Sequence, residues 1–116
     1  MQVTRSISIP ANSTVNVLEA DGVRLRFIDI NVQVADIELY STGSATGLEQ
    51  SLFVGSDNPI EKSIVNTQNR FPVIPDDLVN TEEIEGEGGE QLQLNIENTT
   101  AGALTYFYTL VVAALA

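Results

Sequence analysis

The chain of 116 residues contains no histidine, no cysteine and no tryptophan. Each absence excludes something. Without histidine, no side chain has an ordinary pKa near neutrality, so acid–base chemistry would fall to perturbed carboxylates, tyrosines or the single lysine, Lys62. Without cysteine there is no disulfide and no zinc–thiolate centre, and burial or association must supply the stability. Together the two absences remove the ligands of most transition-metal sites. Tryptophan, a common platform in sugar clefts, is missing as well. Basic residues are few: Arg5, Arg24, Arg26, Lys62 and Arg70 stand against 16 acidic ones, for a net charge of -11. Such scattered positive charge does not suit nucleic acid, and the acidity is repelled by anionic membranes. There is no Gly-x-Ser-x-Gly and no phosphate-binding glycine loop ending in Gly-Lys-Ser/Thr. No apolar stretch follows Arg5, so a secretory signal is not expected. The apolar segment Ala103 to Ala116 falls short of the roughly 20 residues a spanning helix needs, and a buried C-terminal strand is expected. No cofactor is expected, and catalysis is not.

What is present is β-type alternation. Val3, Arg5, Ile7 and Ile9 share one strand face, and Pro10 to Ser13 breaks the run. A strand is expected over Thr14 to Glu19, with Asp21-Gly22 as a hairpin turn into Val23 to Ile28. The apolar phase flips at Phe27-Ile28 and again near Ala35-Asp36, as bulges or corners require. Ser41 to Gly47 has the composition of a flexible loop. Leu52 to Val54 predicts a short buried strand ended by Gly55 to Pro59, and Ile60 to Asn69 is ambiguous, with a short helix as one option. Phe71-Pro72-Val73-Ile74-Pro75 is extended, because each proline biases its predecessor. Leu92, Leu94 and Ile96 alternate with polar residues, and Asn98 to Gly102 reads as a turn. Tyr106, Tyr108 and Leu110 then share one face of the last strand, beyond which both faces are apolar. With about eight short strands and no helical stretches between them, the expectation is all-β, a single antiparallel sandwich or jelly roll over residues 1–116.

Candidate chemistry is confined to surfaces. Asp76-Asp77, Glu82-Glu83 and Glu85, Glu87 and Glu90 are carboxylate groupings of the kind glycosidases use, but they fit a solvated acidic loop better. Calcium is the one metal the composition allows, through Asp76-Asp77, Glu82 to Glu90 or Ser56-Asp57-Asn58, although no EF-hand spacing is present. Arg24 and Arg26 share a strand's polar face and suit an acidic partner or cross-strand carboxylates. Phe71 and Val73 sit in a pre-extended segment able to lie across a neighbouring subunit. Tyr106, Tyr108, Leu110 and Val112 are candidates for a subunit contact, and Tyr40, Tyr106 and Tyr108 for a sugar platform.

The opening Ile7-Ser8-Ile9-Pro10-Ala11-Asn12-Ser13-Thr14 and the close Leu92-Gln93-Leu94-Asn95-Ile96-Glu97-Asn98-Thr99-Thr100 resemble the entry strand and final turn of small bacteriophage jelly-roll proteins, the capsid cement or decoration type. The resemblance implies a non-enzymatic subunit, usually a homotrimer. It would be assembled in the host cytoplasm and bound to the major capsid protein on the outer shell. The same style occurs in host-attachment and carbohydrate-binding sandwiches, a second expectation with or without calcium.

Overall fold

A computed structural model describes residues 2–20, 34–73, 76–80 and 92–114. The chain is an antiparallel β-sandwich. Its strands are β1 (Gln2–Ile9), β2 (Thr14–Asn16), β3 (Val34–Gly43), β4 (Leu48–Val54), β5 (Asp57–Ile64), β6 (Leu92–Asn98) and β7 (Leu104–Ala114), with one helical turn, α1 (Val17–Ala20), after β2. One sheet has the order β1-β7-β3 and the other β2-β6-β4-β5. The apolar face of each sheet turns inward. Ile9, Ile37, Leu39, Tyr106, Tyr108 and Leu110 from the first meet Leu48, Leu52, Leu94 and Ile96 from the second in one core.

The alternation places the core-facing residues well. In β4 and β6 buried and half-buried residues alternate without a break. The phase flip expected near Ala35-Asp36 is a β-bulge: Ala35 pairs Ala113, but Glu38 pairs Val111, so β3 carries one extra residue. The apolar C-terminal stretch forms β7, the central strand of its sheet, between β1 and β3.

Four local expectations are corrected. The strand from Thr14 stops at Asn16, because Val17 and Leu18 turn into the core on α1 instead of continuing the ladder. Ser41, Thr42 and Gly43 are not loop but the buried end of β3, and only the following residues turn. β4 begins at Leu48, four residues before the expected start; Gln50 hides the alternation by placing a polar side chain inward. Of the ambiguous stretch Ile60 to Asn69, the first half is strand, not helix: β5 runs Asp57–Ile64 and so begins within the residues expected to end the previous strand. Its register slips twice against β4, so period-2 alternation never shows in the sequence. Bulges and a proline suit its position at a sheet edge. The Asp21-Gly22 hairpin, the strand from Val23 and the flip at Phe27-Ile28 lie outside the described residues.

A single buried side chain ties the sandwich's end together. Asn98, fully buried, donates from Nδ2 to the carbonyls of Ile9 (3.0 Å) and Gly102 (2.9 Å). Its Oδ1 accepts from the Thr100 amide (2.9 Å) and hydroxyl (2.7 Å). The expected turn is thus an Asx turn that also anchors the last residue of β1.

Candidate functional site

The side of the sandwich where β3 lies opposite β5 is closed by the chain that follows β5. This segment lines the edge of β3 with backbone bonds. Gly43 donates to Asn66 O (2.9 Å), Ser41 to Asp77 O (3.2 Å), and Val79 to Leu39 O (2.8 Å). The Asn80 side chain completes the seal, accepting from the Leu39 amide (3.0 Å) and donating to Ile37 O (2.9 Å).

Two residues of this segment, Arg70 and Asp77, are pinned together by a charge pair. Arg70 Nη1 lies 2.6 Å from Asp77 Oδ2, and Nη2 is 3.4 Å from Oδ1. The same carboxylate accepts from the Val73 amide (2.6 Å) and from Asn66 Nδ2 (3.3 Å). Burial alone would raise the Asp77 carboxyl. The Arg70 hydrogen bonds, the Val73 amide, the Arg70 charge and Asn66 together outweigh it and hold the group below the ordinary carboxylate range. Asp77 is therefore a buried structural anchor and not part of a solvated acidic loop. Asp76 beside it is exposed.

Beside this pin two apolar side chains are exposed. Phe71 is 48% exposed and Val73 49% exposed. Phe71 rests edge-on against Phe107 of β7, with ring centroids 5.0 Å apart and planes at 68°. Such a pair contributes roughly 0.5–1.5 kcal/mol beyond area burial and fixes where the exposed edge points. The carbonyl of Arg70 accepts from the Thr42 hydroxyl, and Arg70 Nη1 also donates to Phe71 O (3.0 Å). The patch is thus held in place from below.

The other candidate contact residues are placed differently. Tyr106, Tyr108, Leu110 and Val112 have no exposed surface, because all four lie on the β7 face that turns into the core. As a subunit contact or sugar platform they are corrected to core; Tyr106 and Tyr108 stack on each other at 5.7 Å. Tyr40 is only 4% exposed, and its phenol donates to Glu38. That bond, with burial and the Glu38 charge, raises its pKa. No tyrosine platform is therefore open to a sugar. Arg24, Arg26, Ile74, Pro75 and the carboxylates from Glu82 to Glu90 lie outside the described residues. Among the described residues no group of three or more carboxylates is gathered as a metal would require, and no helix is long and apolar enough to cross a membrane.

Two features were not anticipated from the sequence. One is the Arg70–Asp77 pin, whose only sequence trace is an opposite-charge pair flanking the proline-rich segment. The other is a shallow open cleft of about 230 Å³ beside it, between β5 and residues 76–79. Gln50 reaches it from β4, and its inward register between Leu48 and Leu52 is the signal that marks it. On the outer face of the four-stranded sheet, Lys62 of β5 pairs with Glu49 of β4 (3.2 Å) and with Glu97 of β6. Both carboxylates raise its pKa, the Glu97 hydrogen bond most.

Fold and site together define an antiparallel β-sandwich with a braced apolar loop on the outer face of one sheet. No protein-family model matches the chain, and neither curated proteins nor solved structures give a match.

Proposed function

We propose that the chain is a non-enzymatic structural subunit of a bacteriophage particle, a cement or decoration protein that binds the major capsid protein on the outer shell. One observation carries the reading: Phe71 and Val73 are held half-exposed on a loop that Arg70 and Asp77 brace from within. An apolar pair fixed in this way loses little ordering entropy when it docks, which is what an attachment loop needs. The supporting facts are the lack of histidine and cysteine, and a net charge of -11 that favours solubility before assembly. The resemblance to small phage jelly-roll proteins agrees with it. A homotrimer would present three such loops at once, so that modest contacts add through effective concentration.

The host-attachment or sugar-binding alternative loses its tyrosine platform to the core. Sedimentation velocity on the purified protein, followed by mixing with emptied phage capsids, tests the first reading. A trimer that pellets with the capsids is expected. A monomer at high concentration that stays in the supernatant would overturn it.

A further inference from the structure

We propose that the outer edge of β1 is a docking site for an extended segment of a partner protein, which adds to the three-stranded sheet as a further strand and sets a carboxylate against Arg5. That partner need not be a capsid, and the site does not use the Phe71 and Val73 loop.

Two open sheets have four edges, and an unprotected edge invites another strand. Here the edges are β1 and β3 of one sheet and β2 and β5 of the other. Three of them carry a safeguard. β3 is sealed by the chain around Asn66, Asp77 and Val79. β5 slips its register twice and contains Pro59 and Lys62. β2 is only 3 residues long. β1 is built differently. All 8 of its residues, Gln2 to Ile9, pair with β7 in unbroken register, with no bulge and no proline. No strand lies on its other side among the described residues. In such an edge strand, alternate amides and carbonyls point away from the sheet. Among the described residues, the β1 backbone is met outside the β7 ladder at two carbonyls. Arg5 Nη1 donates to Thr4 O (3.0 Å), and Asn98 Nδ2 to Ile9 O at the strand's end (3.0 Å). The rest of the row is available to an incoming backbone.

Arg5 sets the chemistry of the occupant. It alternates in phase with Val3, Ile7 and Ile9, the inward positions of β1, yet it is exposed. Lys62 and Arg70 are each paired with carboxylates, whereas Arg5 meets none among the described residues. A charge at an inward position of an edge bars an indiscriminate strand and admits one that brings the opposite charge. A second copy of β1, paired antiparallel about Arg5, would set two guanidinium groups together and is a poor match. Apolar residues on either side of the carboxylate, at alternate positions, also have surface to cover. Ile7, and Val15 of β2 on the same side of the sandwich, pack against the core but are only partly buried. Backbone bonds along the row would supply affinity, and the carboxylate with its apolar neighbours would supply selectivity.

The test is a titration of the full chain followed by ¹⁵N–¹H NMR. The probes are two short acetylated peptides that alternate valine and threonine, one with glutamate in place of a central valine and one with lysine there. The glutamate peptide should give saturable shifts at the β1 backbone amides and slow their hydrogen exchange, while the β4–β6 amides stay unmoved. The lysine peptide should bind at least about fivefold more weakly, the difference between opposite and like charges set across a strand pair. Arg5→Glu, at an exposed position, should reverse that preference. Absence of saturable β1 shifts with the glutamate peptide would overturn the proposal, as would equal affinity for the two peptides or an unreversed preference in the folded variant. Shifts at β1 that track protein concentration without peptide would overturn it as well, because a second copy would then hold the edge.

Discussion

Asn98 shows how much one residue can hold. From a side chain with no exposure to water, its amide serves the end of β1, the β6–β7 turn and the Thr100 side chain. Asn98→Ala would leave the buried Ile9 carbonyl and the turn carbonyl of Gly102 without their donor. We expect it to lower the unfolding free energy by about 3 kcal/mol, measured by urea denaturation. Asp77 makes a different prediction, because its sign depends on pH. Its carboxyl is depressed in the folded chain, so its contribution is present above the ordinary value of about 3.9 and lost as pH falls through the folded value. Removing Arg70 takes away the strongest of the contacts that oppose burial and weakens the depression. Arg70→Ala should therefore destabilise by roughly 1–3 kcal/mol at neutral pH, toward the low end because the Arg70 side chain is 39% exposed. The gap from wild type should close as pH drops below about 4. Thermal melts of both proteins across that range check it, and a gap that widens in acid would contradict the assignment.

At the scale of elements, the segment after β5 replaces a strand. It supplies carbonyls to the Ser41 and Gly43 amides and donates the Val79 amide to the Leu39 carbonyl along the edge of β3, which otherwise would lie open to pairing. Its geometry depends on the Arg70–Asp77 pin, so the two should fail together. In Asp77→Ala, hydrogen exchange should accelerate at the Ser41, Gly43 and Val79 amides, while the β4–β6 ladder stays protected. Uniform acceleration across both sheets would mean that the segment is not a separable seal. This is also where the sequence was least legible. Strands with clean alternation, β6 above all, were visible, and so was the bulge near Ala35 as a change of phase. β5 was hidden by its two register slips, and the head of β4 by Gln50. The Ser41 to Gly43 stretch is hidden in the sequence because its small polar residues have loop composition. They are buried where β4 and a distant segment pack against them.

At the scale of the whole molecule, the sandwich puts its tyrosines inside and, among the described residues, every carboxylate but Asp77 at the surface. The aromatic face of β7 suggested a contact surface in the sequence, yet the same alternation is what a central strand needs to fill a core. Phe71 and Val73 remain from the expected partner-binding set as described, exposed side chains, and they are the ones the fold braces. The proposed attachment therefore depends on them. The most direct measurement is cosedimentation of wild type and the double variant Phe71→Ser/Val73→Ser with emptied bacteriophage capsids. Wild type should pellet with the shells, and the double variant, equally folded by circular dichroism, should remain in the supernatant. Equal pelleting of both, or of neither, would contradict attachment through this loop.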